Sequence, residues 1–242
     1  MVSFPPVTGI GAEATVKTEL LDVSEDSPRT PRLTSLYQDY LDSQDTAGFI
    51  SKVSQFYTIG TLQRLAEAHC PEARRAAILS LGFLGDYSVN HTLGRALHDD
   101  DRTVRMMAEN GIRNVWARAG TEAERRQLSQ VIQCIAAQKY EEAIEKATEL
   151  IERAGWFAEA WHQRAIAYFR LERYGDSVRD CHQALEVNPY HFPAATSMGQ
   201  AYLHLRNHVS ALECFRRALR LNPNLEGVRV QVTRLARQIE ET

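Results

Sequence analysis

One internal spacing restricts this chain more than any other feature: in its C-terminal half, residue types recur every 34 positions. Trp161, Ala165, Tyr168, Tyr174, Ser177, Cys181, Ala184 and Pro189 meet Ala195, Gly199, Tyr202, His208, Ala211, Phe215, Ala218 and Pro223 one period later. One period earlier stand Gln127, Val131, Cys134, Tyr140, Ala143, Ala147, Leu150 and Gly155, a more divergent copy. A fixed period of this size means stacked copies of one supersecondary unit, none of which buries its apolar face alone. The spacing places units at 124–157, 158–191 and 192–225, with a capping helix at 226–242. That helix carries Val228, Val232, Leu235 and Ile239 on one stripe and Arg229, Arg234, Arg237 and Glu240 elsewhere.

The rest of the chain reads as helix too, and the expected fold class is all-α, an α-solenoid of helical hairpins. No window alternates with period two over a strand length, and Pro and Gly fall between helical segments. Asp45-Thr46 offers an N-cap before Phe49 and Val53, and Gly60 is expected to break the helix that follows. A second period, of 31, sets Ala73-Arg74-Arg75 over Val104-Arg105-Met106, Leu81 over Ile112 and Leu84 over Val115. The organisation expected is a disordered acidic tail at 1–31, a helical repeat segment at 32–120 and the 34-residue units at 121–242. The tail lacks a periodic apolar stripe that would offset its ordering entropy. Small Ala165, Gly199, Ala184 and Ala218 mark close helix approach, and Asn188-Pro189 and Asn222-Pro223 mark helix ends. If the Trp161 ring is core, Trp161→Ala is expected to cost about 3–5 kcal/mol.

The 34-residue pattern of aromatic, small residue, tyrosine, alanine, aromatic, alanine and closing proline resembles the tetratricopeptide repeat. The 31-residue pattern, with Leu81-Gly82-Phe83-Leu84-Gly85-Asp86 and Asp99-Asp100-Asp101, resembles short HEAT repeats of the kind found in phycobilisome-lyase-like proteins. The first resemblance implies a concave groove lined by the first helix of each hairpin and open to a peptide. Position by position, the groove would hold His162, Gln163, Ile166, Phe169 and Arg170, then Thr196, Ser197, Gln200, Leu203 and His204. The first unit would add Leu128, Ser129, Ile132 and Ile135, unless these pack on the preceding helix with Trp116.

Signs of chemistry are few. The chain has no GxSxG, P-loop, dinucleotide or HExxH motif, so no catalytic residue, metal or cofactor is expected and the chain reads as a non-enzyme. His204 and His208 stand four apart but lack a carboxylate to complete a ligand set, and His208 falls on the position of Tyr174 and Tyr140. Cys181 and His182 point about 100° apart on a helix and make no nucleophile–base pair. The run Asp99-Asp100-Asp101 reads as a helix cap paired with Arg74 or Arg105, in preference to a cation site.

Charge and composition narrow the partners. With 28 basic and 31 acidic side chains the net charge is −3, against a phosphate-neutralising nucleic-acid binder. No apolar run is long enough to span a membrane and no secretory leader is visible. Four dispersed cysteines read as reduced thiols, and a cytoplasmic location is expected. Relatives that grip a chaperone's C-terminal carboxylate use lysine, arginine and asparagine at positions held here by Leu128, Ile132, Gln163, Pro193 and Ser197. The missing cations argue against that partner. The function expected is an adaptor or scaffold that binds a peptide or protein. The alternatives are a lyase-like accessory binding a pigment or other small ligand, and self-assembly through the solenoid ends.

Overall fold

The computed structural model describes residues 32–241, so the expected tail at 1–31 lies outside the described residues. Helices α1 (Arg32–Ser43), α2 (Thr46–Phe56), α3 (Ile59–Leu65), α4 (Pro71–Leu84), α5 (Asn90–Ala96) and α6 (Arg102–Arg118) form the first part, with a short 3₁₀ turn at Tyr87–Val89. Helices α7 (Glu122–Ala136), α8 (Tyr140–Arg153), α9 (Ala158–Arg170), α10 (Tyr174–Val187), α11 (Phe192–His204), α12 (His208–Leu221) and α13 (Glu226–Glu240) follow. No strand occurs among the described residues, and the architecture is an all-α stack of helical hairpins.

Local chemistry explains the helix ends. Asp45 caps α2 by accepting the Gly48 N–H. Gly60 does not break a helix: it lies in the first turn of α3, and the break falls at Tyr57 and Thr58. Thr58, whose side chain accepts the Thr61 N–H, begins the new helix. A Thr121–Glu124 capping box starts α7, immediately after Gly120, whose φ of 84° suits the residue type.

Turns inside the C-terminal hairpins repeat to the atom. Gln138, Glu172 and Arg206 all adopt the left-handed region, at φ 61°, 59° and 58°. The next amide in each case bonds five residues back: Lys139 to Cys134, Arg173 to Tyr168 and Asn207 to Tyr202, each at 2.9 Å. The preceding amide bonds three back, to Ile135, Phe169 and Leu203, each at 3.0 Å. These are Schellman closures, and they recur at the sequence period without glycine.

The first part repeats as well. Arg74 donates to the carbonyls of Ala68 and His69, both at 3.0 Å, and Arg105 donates to those of Asp99 and Asp100, at 2.8 and 3.0 Å. Asp99 takes Arg74 in a two-pronged pair, both bonds 2.8 Å. Asp101 caps α6 through the Val104 N–H and pairs with Arg75 at 2.5 Å. That ion pair and cap hold the Asp101 carboxyl down at about 2. The three aspartates thus serve helix ends and arginines.

Side chains of residues 87–116 lie against the turns that join one hairpin to the next. Trp116 donates from Nε1 to Asn90 Oδ1 at 2.7 Å, and Asn90 donates from Nδ2 to Asn188 Oδ1 at 3.0 Å. Trp116 stacks on His191 at 4.7 Å, Arg113 lies 4.6 Å over the Phe192 ring, and Arg105 reaches Asn224 at 3.2 Å. Phe192 is buried in the same core as Leu81, Leu93 and Ile112.

Candidate functional site

Helices α9 and α11 are the first helices of consecutive hairpins, so their i, i+3, i+4 faces lie side by side. Between them a cavity of about 550 Å³ is lined by Ile166, Phe169, Arg170, Ser197, Gln200, Leu203 and His204. Its apolar share comes from Ile166, Phe169 and Leu203. Ser197 and Gln200 supply hydrogen-bonding groups, and exposed Arg170 has no hydrogen bond or ion pair among the described residues. At one end an aromatic wall is built from His204 stacked on Tyr174 at 4.6 Å, with Phe169 edge-on to both. His204 is engaged as a ring, not as half of a metal pair with His208.

Three of the expected groove residues lie elsewhere. His162 is buried at 6% exposure and cannot meet a ligand. Gln163 is turned back to Glu159 through a 2.8 Å bond. Thr196 faces a neighbouring cavity of about 420 Å³ with Gln200, Leu203, Leu225 and Val228, a cavity that lies between α11 and α13. In the first unit Leu128 is buried with Ala119, Leu150 and Phe157, whereas Ile132 is exposed. Trp116 does not cover that unit; it lies on His191.

Beneath the groove runs a buried polar network that periodicity alone does not signal. His191 Nε2 and Glu159 Oε2 are 3.0 Å apart, and His162 Nε2 meets Ser197 Oγ at 3.1 Å. Ligand atoms of Glu159, His162 and His191 all lie within 4.8 Å of one another, a spacing that fits a metal ion. The proton positions do not fit one. The Ala194 N–H points at His191 Nδ1 at 3.1 Å, which makes Nδ1 the acceptor that caps α11. The ring proton then sits on Nε2, donating to Glu159, and that nitrogen has no lone pair for a cation. Burial keeps the His191 imidazole pKa below its ordinary value. Burial also pushes the Glu159 carboxyl up, but the imidazoles of His191 and His162 outweigh it and hold it well below the usual range.

The cysteines match the expectation of packing. Burial pushes the Cys181 thiol far above its ordinary value and the Cys214 thiol up to about 11, so neither is a ready nucleophile.

Against known proteins, the tetratricopeptide repeat family matches residues 158–191 and 193–225. This chain contains tetratricopeptide repeats. It is 33% identical over 94 residues to human (Homo sapiens) tetratricopeptide repeat protein 12, covering 39% of this chain and 13% of that protein. It is 30% identical over 96 residues to Hsp70-Hsp90 organizing protein 1 of Glycine max, covering 38% of this chain and 17% of that protein. The chain therefore spans less than a fifth of these two curated relatives. Among solved structures, the first TPR of Spaghetti (RPAP3), bound to the HSP90 peptide SRMEEVD, aligns at TM-score 0.48 and 22% identity. That alignment covers 50% of this chain and 96% of the other. The TPR2AB domain of yeast Sti1, in complex with pHSP90, aligns at TM-score 0.45 and 16% identity over 85% of this chain and 97% of the other.

These relatives correct one expectation from the sequence. The argument against chaperone C-terminal carboxylates rested on three cations missing among five positions, Leu128, Ile132, Gln163, Pro193 and Ser197. The match to Hsp70-Hsp90 organizing protein 1 of Glycine max overturns it. The physical reason lies in the groove. A carboxylate needs a paired donor, not a donor from one fixed position, and Arg170 stands unpaired beside Ser197 and Gln200.

Proposed function

We propose that the chain is a protein-interaction adaptor without chemistry of its own, and that the cavity between α9 and α11 receives a peptide of its partner. The observation that carries this reading is the cavity itself: open, part apolar, and bordered by an arginine with no internal partner. An extended peptide would set an apolar side chain against Phe169 and Leu203 and an acidic group against Arg170. Acidic C-terminal peptides of the chaperone type, such as the HSP90 peptide SRMEEVD bound to the first TPR of Spaghetti (RPAP3), have that composition and are the first class to test. The chain is read as a cytoplasmic protein; no helix among the described residues is long and apolar enough to cross a membrane.

The recurring Schellman turn supports a third, divergent repeat at 124–157, and the recurring Arg74 and Arg105 bonds support a HEAT-like reading of the segment before it. No relative named above carries the lyase-like alternative.

The test is fluorescence anisotropy of labelled SRMEEVD peptide with the full chain. Wild type is expected to bind, and the triple variant Phe169→Ala, Arg170→Glu, His204→Ala to lose about tenfold or more in affinity. Equal affinity for wild type and variant would remove the groove from the account.

A further inference from the structure

A second cavity, of about 530 Å³, opens between α10 and α12, the second helices of the two matched repeats. Met198, Tyr202 and Cys214 supply its apolar lining. Arg216, Arg217 and Arg220 line it from α12 and His182 from α10. None of the three arginines has a hydrogen bond or ion pair among the described residues. Glu213 is the one acidic group in the lining.

The preceding repeat shows what is unusual here. One period earlier the same helix positions carry their own neutralising acids. Arg164 is bound two-pronged to Asp180 at 2.7 and 2.9 Å, and Arg173 and Arg179 both pair with Asp176. In the last repeat Asp176 becomes Ser210, Asp180 becomes Cys214 and Arg164 becomes Met198. At the same time His182, Gln183 and Glu186 become Arg216, Arg217 and Arg220. Across these positions Arg164, Arg173 and Arg179 with Asp176, Asp180 and Glu186 give way to Arg216, Arg217 and Arg220 with Glu213 as the one acid, so a self-satisfied surface turns into one with open donors beside an apolar pocket. Packing does not require this, because the repeat before it folds with the opposite choice.

We propose that this cavity binds an acidic peptide segment of a protein partner, one apolar side chain entering against Met198 and Tyr202 while flanking carboxylates pair with Arg217 and Arg220. A continuous polyanion suits it less well. The cations sit within one five-residue stretch of α12, and Glu213 would face the backbone of any longer phosphate chain. The site is separate from the groove between α9 and α11 and does not depend on that reading.

The test uses the full chain and a fluorescein-labelled octapeptide of glutamates with one central leucine. Wild type is expected to bind it, with affinity falling as salt rises. The Arg217→Glu, Arg220→Glu variant is expected to lose about tenfold or more. Because a Glu/Leu peptide also suits the groove, the same pair of substitutions is read in a groove-disabled background: Phe169→Ala, Arg170→Glu is expected to retain octapeptide binding, and adding Arg217→Glu, Arg220→Glu to abolish it. Loss in the groove variant instead would move the peptide to the groove and overturn this proposal while leaving the other standing. So would equal binding of the same peptide with glutamine for glutamate, or tighter binding of a thymidine 20-mer. Should the double variant fail to fold, Arg220→Gln is expected to lose about threefold by removing one ion pair, and no loss there would also overturn the proposal.

Discussion

Asp101 shows how much one residue does at a helix start. Its carboxylate accepts the Val104 N–H at 3.0 Å and pairs with Arg75, and the pKa of about 2 records both. The ordinary value is 3.8, so folding favours the ionised form. A depressed carboxylate contributes stability above its unfolded pKa, and that contribution fades as pH falls toward about 2. Asn at this position keeps a cap but not the charge. Asp101→Asn is therefore expected to cost about 0.2–1 kcal/mol at pH 6, the range of a partly exposed pair. Urea denaturation of both proteins at pH 6 and again near pH 2 should show the gap closing, and a gap that stays constant would mean the charge is irrelevant. Trp161 marks where reading residues by type alone overreaches. Its ring is only partly buried, Nε1 donates to the Gly155 carbonyl at 2.8 Å, and Arg164 lies 5.0 Å from the ring centre. A ring that keeps part of its surface in water forfeits less on truncation than the ~3–5 kcal/mol of a fully buried one.

Among elements, α4 and α6 meet more closely than side chains allow. A Cβ built on Gly82 would stand 2.9 Å from the Gly111 Cα, and one on Gly111 would stand 3.0 Å from the Gly82 Cα. Backbone cannot yield as a flexible side chain can, so the two helices would have to separate. Two effects then compete in Gly82→Ala. Helix propensity favours alanine by about 1 kcal/mol, and overpacking costs about 1–3 kcal/mol. Overpacking is expected to win, lowering the melting temperature. A variant more stable than wild type would show that α4 and α6 are not this close. Periodicity made most of these elements legible in advance, because equivalent positions of stacked hairpins meet equivalent neighbours. Ala165, Ala184, Gly199 and Ala218 read as close-approach sites for that reason, and Gly199 does stand against the Phe215 ring. The groove was legible to the same degree: Ile166, Phe169, Arg170, Ser197, Gln200, Leu203 and His204 share one lining. His162 was not, since its repeat position points at the groove while Ser197 and the Glu159 carboxylate draw the ring inward.

On the scale of the whole described body, the contacts that matter most join residues with no periodic relation. Asn90 and Asn188 are 98 apart, and Arg105 and Asn224 are 119 apart. Sequence spacing carries no signal for such pairs, because neither partner recurs in the other's repeat. They change the energetic character of the fold. An array of hairpins in contact only with neighbours has stability that is a sum of local terms, and it can unfold piecewise from an end. Here residues 87–116 lie against two successive inter-hairpin turns, so opening either side exposes Trp116, His191 and Phe192 together. Asn90 is the link in that seam with the most to lose. It is buried at 7% exposure, accepts from Trp116 and donates to Asn188, and Asn188 Oδ1 also receives the Tyr190 N–H at 3.1 Å. Asn90→Ala would leave the Trp116 N–H buried without an acceptor, at a cost of about 1–3 kcal/mol. If the seam couples the two sides, wild type should melt in one calorimetric transition, with calorimetric and van't Hoff enthalpies equal. Asn90→Ala should then split or broaden that transition, with α5 and α6 losing hydrogen-exchange protection before α11 and α12. A variant that melts lower but still in one sharp transition would assign Asn90 to stability alone, and coupling would have to be sought in the Arg105–Asn224 contact.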